Sequence, residues 1–419
     1  MIIKIENSLN LTDNDIQQIK KCADLIKKGD IISFPTETVY GIGASIFSEQ
    51  GIKKIFYVKK RPSDNPLIAH ISSFDMLSNL IIFKDQIQKD IFYTFAKKLW
   101  PGPISFVLNA KNNISKLVTA GLPTIAVRMP DNKIALRLIE FSNSPIVAPS
   151  ANLSGKPSGT TAKDVYNDFK ENIPYIIDGG KTNIGIESTV VDLTDTSIFI
   201  LRPGYITKED LEKILINSDL QKKHQDSKER FIVKYIKHKS ETVKSPGLKY
   251  KHYKPEAKTY LFEFNKLLNL ESYILNINSS SNKIEINNKT NKNINKIDDK
   301  FLINLIHIFS KESILFLITD NNILKTNKFF SKLKIKIDYT IKIKENMDLH
   351  NIFELINKNN YRFSLISFKN YYLYASNLYY LFRLSDNFNI KNIFLQKPVN
   401  NGFGFSLNNR LLKASDYYL

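Results

Sequence analysis

Residues 144–161 read SPIVAPSANLSGKPSGTT. The stretch leaves an apolar run and gathers hydroxyls and turn formers: Ser150, Ser154, Ser158, Thr160 and Thr161 beside Pro149, Gly155, Pro157 and Gly159. Glycine and proline set backbone angles that other residues avoid. A loop of this kind bares backbone N–H groups, and bared N–H groups bind anions such as phosphate. Alone, the stretch also reads as a surface linker. Lys59, Arg61, Arg128 and Arg202 argue otherwise, because each lies in a short polar break of an apolar pattern. Together they predict a cavity for a polyphosphate and a small polar co-substrate.

Outward from this loop, residues 1–205 alternate strands and helices. Strands are expected at 30–34, 67–71, 104–108, 124–127, 145–148, 175–178, 188–193 and 197–201. Helical spacing marks 16–28, 50–60, 86–99 and 162–170, the last capped by Thr160 or Thr161. The final two strands follow each other too closely for a helical crossover, so the sheet is mixed, not purely parallel. Residues 206–256 lose the rhythm, and 221–254 is basic and polar, which reads as a linker with a structured end. Alternation returns over 257–419, with strands at 313–319 and 392–395 and helices at 302–309, 370–384 and 407–415. This predicts a smaller α/β domain. Residues 278–300 are low in complexity and read as an insertion.

The chain has 419 residues; at roughly 100–200 residues per domain it holds two. The net charge is +19. Residues 1–210 carry 25 Lys+Arg against 22 Asp+Glu (+3), leaving 35 against 19 (+16) for 211–419. A basic surface attracts nucleic acid or acidic membrane. Aromatic residues do not interleave with these charges as stacking platforms would, so the lysines read first as solvated faces. No apolar run reaches the roughly 18 residues of a membrane span. The first residues lack the basic-then-apolar pattern of a secretory signal. The single cysteine, Cys22, excludes an internal disulfide and a cysteine metal cluster. A cytoplasmic location is expected.

Several motifs put chemistry at strand ends, where open α/β sheets build their sites. Phe34–Gly41 (FPTETVYG) offers Thr36, Glu37 and Thr38, which also suit helix caps. In 59–67 (KKRPSDNPL), Lys59 and Arg61 can meet phosphate oxygens, and prolines stiffen the loop. Arg128 ends the apolar run TIAVR, where a guanidinium requires a carboxylate from the protein or from a ligand. Arg202-Pro-Gly204 repeats the device. Glu187-Ser-Thr189 joins a carboxylate to two hydroxyls, suited to an ammonium group or a metal. Asp178–Thr182 (DGGKT) imitates the end of a P-loop, but Tyr175 occupies the place of its first glycine. The six histidines show no metal-site spacing.

These segments, in this order, resemble the YrdC-like family, specifically its two-domain threonylcarbamoyl-AMP synthases. The carrying stretches are FPTETVYG (34–41), KKRPSDNPL (59–67), WPGPISFVL (100–108), TIAVRMP (124–130), APSANLSGKPSGTT (148–161), IESTVVDL (186–193) and LRPG (201–204). The segment 245–255 (SPGLKYKHYKP) resembles the family's inter-domain linker, with Leu248 and Lys254 departing from its usual residues, and 408–415 resembles its C-terminal end. Residues 257–400 match weakly. The implied fold is α/β: a twisted mixed-sheet YrdC-like domain with a large positive cavity (1–210), a basic linker (211–256) and a smaller Rossmann-like domain (257–419).

The resemblance implies condensation of L-threonine, bicarbonate and ATP, with Mg²⁺, into threonylcarbamoyl-adenylate, for tRNA modification through a separate transferase complex. No membrane partner is implied. It places Thr38, His70, Arg128, Ala148 (through its backbone) and Ser188 at threonine-binding positions. Arg61, Asn65, Thr124, Ser150, Ser158, Arg202 and Tyr253 fall at ATP-binding positions. Lys59 and Arg61 are the expected catalytic cations, facing the phosphates, and no resident metal site is expected. The competing reading is a double-stranded RNA or tRNA-binding module that makes no adenylate. Carbamoyl transfer in metal-centre maturation is a third, disfavoured by the lone cysteine.

Overall fold

The computed structural model describes residues 1–5, 10–195, 197–224, 231–236, 253–263, 312–332, 336–345 and 347–418. The expected helix at 302–309, the insertion at 278–300, most of the basic tract and residues 245–252 of the linker motif lie outside them. The chain forms two compact units: Met1–Tyr253 with Leu378–Tyr380 and Asn400–Asn409, and Lys254–Asn377 with Leu381–Val399 and Arg410–Leu419. Among the described residues no helix is long and apolar enough to cross a membrane.

The first unit is built on β1 (Ile2–Lys4), β2 (Ile32–Phe34), β3 (Gly41–Ser45), β4 (Ile68–His70), β5 (Ile81–Ile82), β6 (Ile104–Ala110), β7 (Thr124–Arg128), β8 (Ile146–Val147), β9 (Tyr175–Asp178), β10 (Thr189–Asp192), β11 (Ile198–Arg202) and β12 (Val233–Tyr235). They form one mixed sheet in the order β1-β9-β2-β3-β8-β4-β7-β6-β10-β11-β12, with β5 on β6. β4 and β7 run parallel, with His70 opposite Arg128. β10 and β11 are antiparallel, as their short connection requires.

Helices α1 (Asp13–Lys27), α2 (Glu49–Lys59), α3 (Gln86–Leu99), α4 (Lys116–Thr119), α5 (Lys133–Ser142), α6 (Ala162–Phe169) and α7 (Lys208–Ile216) accompany this sheet. Adjacent strand residues serve different cores, as the two-residue period demands. Ile146 joins α1 and α5, where Cys22 is buried, whereas Val147 joins α2 and α3. Around α3 the core is aromatic: Phe92 packs edge-on to Trp100 and Phe106 at 5.5 and 5.7 Å. Burying such a ring stabilises the fold by about 1.5–3 kcal/mol. Thr161, not Thr160, caps α6, through a capping box with Asp164.

The stretch 211–256, read as linker from composition, carries most of α7 and also β12, which extends the first unit's sheet by pairing parallel to β11. Hydrophobic spacing in α7 buries Leu211 and Leu215.

The second unit holds β13 (Lys258–Phe262), β14 (Ile314–Thr319), β15 (Tyr339–Ile343), β16 (Phe363–Phe368), β17 (Asn392–Gln396) and β18 (Tyr417–Tyr418) in the order β15-β16-β14-β17-β13-β18. Every described pairing in it is parallel. Its inner strands β14, β16 and β17 are buried over nearly their whole length, as sheets covered on both faces require. Phe316 stacks on Phe394 at 4.6 Å.

Gly204 shows how tightly the end of β11 is held. A Cβ there would stand 2.3 Å from Thr189 N and 2.7 Å from Ser188 C. Gly204→Ala is therefore expected to force the two segments apart and destabilise the fold by about 1–3 kcal/mol, the usual cost of overpacking, read as a lower urea midpoint at unchanged m-value.

Candidate active site

The ends of β2, β4, β7, β10 and β11 converge with the 148–152 segment on one cleft. Thr38, Arg61, His70, Arg128, Ala148, Ser150, Ser188, Arg202 and Tyr253 line it, with Thr36, Tyr40, Asn152 and Glu187. The room inside is about 70 Å³, space for roughly five water molecules at ~10–15 Å³ each. Lys59, Asn65, Thr124 and Ser158 are buried outside this lining.

Arg128 is fixed from three sides. Nε donates to Gly102 O at 3.3 Å, and Nη1 donates to Thr38 Oγ1 at 3.0 Å. Nη2 meets Glu37 Oε2 at 2.6 Å, with both side chains less than a tenth exposed. The carboxylate that the sequence demanded is thus Glu37, a residue singled out in its motif but given no role. Its signal was available, since a buried guanidinium needs a counter-charge and Glu37 is the acid of the neighbouring strand-end motif.

His70 lies on β4 beside Arg128. Its Nδ1 is 3.1 Å from Ile68 O, a carbonyl that only accepts. Burial, aided by the charge of Arg128, holds its pKa down to about 3. The imidazole is therefore neutral at working pH.

Arg202 donates from Nε to Ser188 O at 3.0 Å and from Nη2 to Ser188 Oγ at 3.1 Å. Arg61 donates from Nη2 to Pro66 O at 3.1 Å. Its neighbour Lys60 takes a left-handed conformation, φ +50°, which ends α2 and separates Arg61 from Lys59. Lys59 turns inward, where Nζ donates to Ser150 O at 2.5 Å and to Asn152 O. Ser154 N returns a bond to Lys59 O at 3.0 Å. Through these bonds its ammonium stitches the 150–154 loop.

The loop's amides also differ from expectation. The N–H groups of Ala151, Asn152, Ser154 and Lys156 bond to backbone carbonyls, and that of Leu153 bonds to Asp168. They are not bared to an anion. Ser158 Oγ donates to Glu187 Oε1 at 2.7 Å. Both side-chain polar atoms of Asn65 are buried without a hydrogen-bond partner among the described residues. The DGGKT turn is structural: Tyr40 Oη donates to Gly180 O at 2.7 Å and accepts from Gly179 N at 3.2 Å. Among the described residues no group of three or more His, Cys, Asp or Glu could hold a metal ion.

Comparison with known proteins places the chain in a family. Residues 24–204 fit a Sua5/YciO/YrdC family model described as telomere recombination, and residues 206–416 fit the model of the threonylcarbamoyl-AMP synthase C-terminal domain. The chain belongs to the threonylcarbamoyl-AMP synthase family. It is 45% identical to the Pyrococcus abyssi threonylcarbamoyl-AMP synthase over 250 residues, covering 59% of this chain and 68% of the relative. Identity to the Bacillus subtilis family member is 44% over 248 residues, covering 59% and 67%. The crystal structure of P. abyssi Sua5 complexed with L-threonine superposes with a TM-score of 0.68 at 30% identity, covering 100% of this chain and 99% of that one. The mixed α/β sheet is thus the family's.

The neutral state of His70 has a measurable consequence. Its folded pKa, about 3, lies below the ordinary value of 6.5. The unfolded chain then binds the extra proton between these limits, so stability is full above pH 6.5 and falls as pH drops toward 3. The wild type should lose stability there with a slope component near 1.4 kcal/mol per pH unit, and His70→Gln should lack that component in urea unfolding followed across pH 4–7.

Proposed function

We infer that the protein condenses L-threonine, bicarbonate and ATP into L-threonylcarbamoyl-adenylate and pyrophosphate. The adenylate serves threonylcarbamoyladenosine formation in tRNA, next to the anticodon, through a separate transferase. One observation carries this reading: Arg61, Arg128 and Arg202 converge with Thr38, Ser150 and Ser188 on a single cleft in a member of the threonylcarbamoyl-AMP synthase family. A relative solved with L-threonine supports the amino-acid substrate.

In this reading Arg128 holds the threonine carboxylate, assisted by Thr38, His70, Ser188 and the backbone of Ala148. Arg61, Arg202 and Ser150 face the triphosphate, with Asn65, Thr124 and Ser158 behind them and Tyr253 closing over the nucleotide. The threonine amine attacks the carbon of bicarbonate, and water leaves to give a carbamate. A carbamate oxygen then attacks the α-phosphorus, and pyrophosphate departs with the electron pair. No protein nucleophile is required. The protein's part is positioning and neutralisation of charge that grows on the phosphates. Lys59 contributes by holding the loop that carries Ser150, a role its buried bonds to Ser150 O and Asn152 O support.

Magnesium is commonly held by one or two carboxylates together with substrate phosphates. The cleft fits that habit, since Glu187 lines it beside Ser188. Glu187 would hold the ion, which when bound offsets phosphate charge.

A nucleotide beside an amino acid needs more room than the cleft now gives. The reading therefore includes opening into a larger positive cavity, with Tyr253 as the moving wall. Tyr253 is 5% exposed and has φ +72°, a left-handed backbone unusual for an aromatic residue. The parallel sheet of the second unit is read as Rossmann-like, and the setting as cytoplasmic.

Incubation with ATP, Mg²⁺, L-threonine and labelled bicarbonate should yield a labelled adenylate. Arg61→Ala is expected to lower pyrophosphate release about tenfold or more with the fold intact, the scale of a lost charge-assisted phosphate contact. Near-normal turnover would remove Arg61 from this role. Salt-sensitive RNA retention without ATP consumption would instead favour the RNA-binding module.

A further inference from the structure

The ion pair of Glu37 and Arg128 is close but incomplete. Glu37 Oε2 and Arg128 Nη2 are 2.6 Å apart, yet among the described residues neither Glu37 oxygen receives an aligned donor and Nη2 has no aligned acceptor. The other guanidinium nitrogens, by contrast, are aligned on Thr38 Oγ1 and Gly102 O. A buried pair of charges with unfinished hydrogen bonding is an expensive arrangement, and it invites a ligand that completes it. Thr36 and Thr38, on either side of Glu37, both line the cleft with Arg128.

A zwitterion supplies both missing halves. Its carboxylate can take the guanidinium, and its ammonium can take the carboxylate so released. One internal ion pair is exchanged for two ligand ion pairs, and no charge is left uncompensated. We propose that Glu37 is a specificity-determining residue that reads the substrate's α-ammonium. It neutralises Arg128 until the substrate carboxylate arrives and then passes to the ammonium. This rests on the amino-acid reading of the cleft given above. Glu37 itself lies buried just behind this lining, whereas Glu187 lines the cleft on the side of Ser188 and Arg202 and accepts from Ser158 Oγ at 2.7 Å.

The test is calorimetric titration of the full chain with L-threonine and with 3-hydroxybutyrate, the same carbon skeleton without the amine. The wild type should prefer threonine by at least about tenfold, the scale of a hydrogen-bonded charge contact. Glu37→Gln should weaken threonine by at least about tenfold, while 3-hydroxybutyrate binds as well as before or better, because Glu37 no longer competes for Arg128. Glu37→Asp keeps the charge but withdraws it by one methylene. It should weaken threonine less than Glu37→Gln does and leave 3-hydroxybutyrate unchanged, and it serves if Glu37→Gln does not fold. Equal weakening of both ligands in either variant would make Glu37 a mere prop for Arg128 and overturn the proposal, as would unaltered threonine binding. A wild type that binds neither ligand would instead sink the amino-acid reading itself.

Discussion

A guanidinium at the buried end of a central strand governs the architecture of this site. Arg128 is 4% exposed on β7, and taking an unpaired charge that deep costs several kcal/mol. Three sequence-distant segments must therefore meet it: the Thr36–Thr38 turn after β2, the Gly102 carbonyl after α3, and β4 with His70 opposite in register. The same charge helps keep His70 neutral. Arg202 imposes a second, milder constraint, since it uses the carbonyl and hydroxyl of Ser188. That contact lies just where Gly204 must pass against the backbone of residues 188 and 189.

The 150–154 loop obeys a different logic from the one its composition suggests. Hydroxyls, glycines and prolines read as a nest of open amides. Instead the amides are closed by Tyr40 O, Ser150 O, Asp168 and Lys59 O, while Lys59 Nζ gathers the carbonyls of Ser150 and Asn152. Bonds from four segments of the chain hold the loop in one geometry. What it offers the cleft are side chains at fixed positions, which is what positional catalysis requires.

Much of this was legible in the sequence, and the failures have physical causes. Helix α3 was read to the residue because its apolar period is clean and Trp100-Pro101 ends it. β3 lies outside the expected strands because glycines weaken the strand signal of GIGAS. In the fold Gly43 is there for closeness, since a Cβ would meet Ile146 Cγ2 at 2.4 Å. Helix α5 lies outside the expected helices because KIALRLIEFS follows closely on the Pro130 turn and its apolar stripe is short, although it buries Ile134, Leu138 and Ile139. β12 was hidden in a basic tract, where composition outweighs three residues of strand. The arginines of the cleft were legible because buried cations are rare and lie in recognisable motifs. Their partners were not, because pairing is a tertiary fact: nothing in KKRPSDNPL says that Lys59 turns in while Arg61 turns out. The left-handed Lys60 between them decides it.

The arrangement also assigns the burden of protonation. Arginine keeps its charge at any working pH, so Arg61, Arg128 and Arg202 give the cleft a fixed positive field. His70, held neutral by burial and by Arg128, adds no titrating cation above pH 3 or so. The cleft's electrostatics toward phosphate and carboxylate are then nearly constant across the neutral range. In the proposed reaction the one basic group that must change state near neutrality is the substrate amine, which has to lose a proton before it can attack carbon. A site built from untitratable cations and a silenced histidine leaves that step to the ligand and its carboxylate neighbours, and devotes its own residues to holding charge in place.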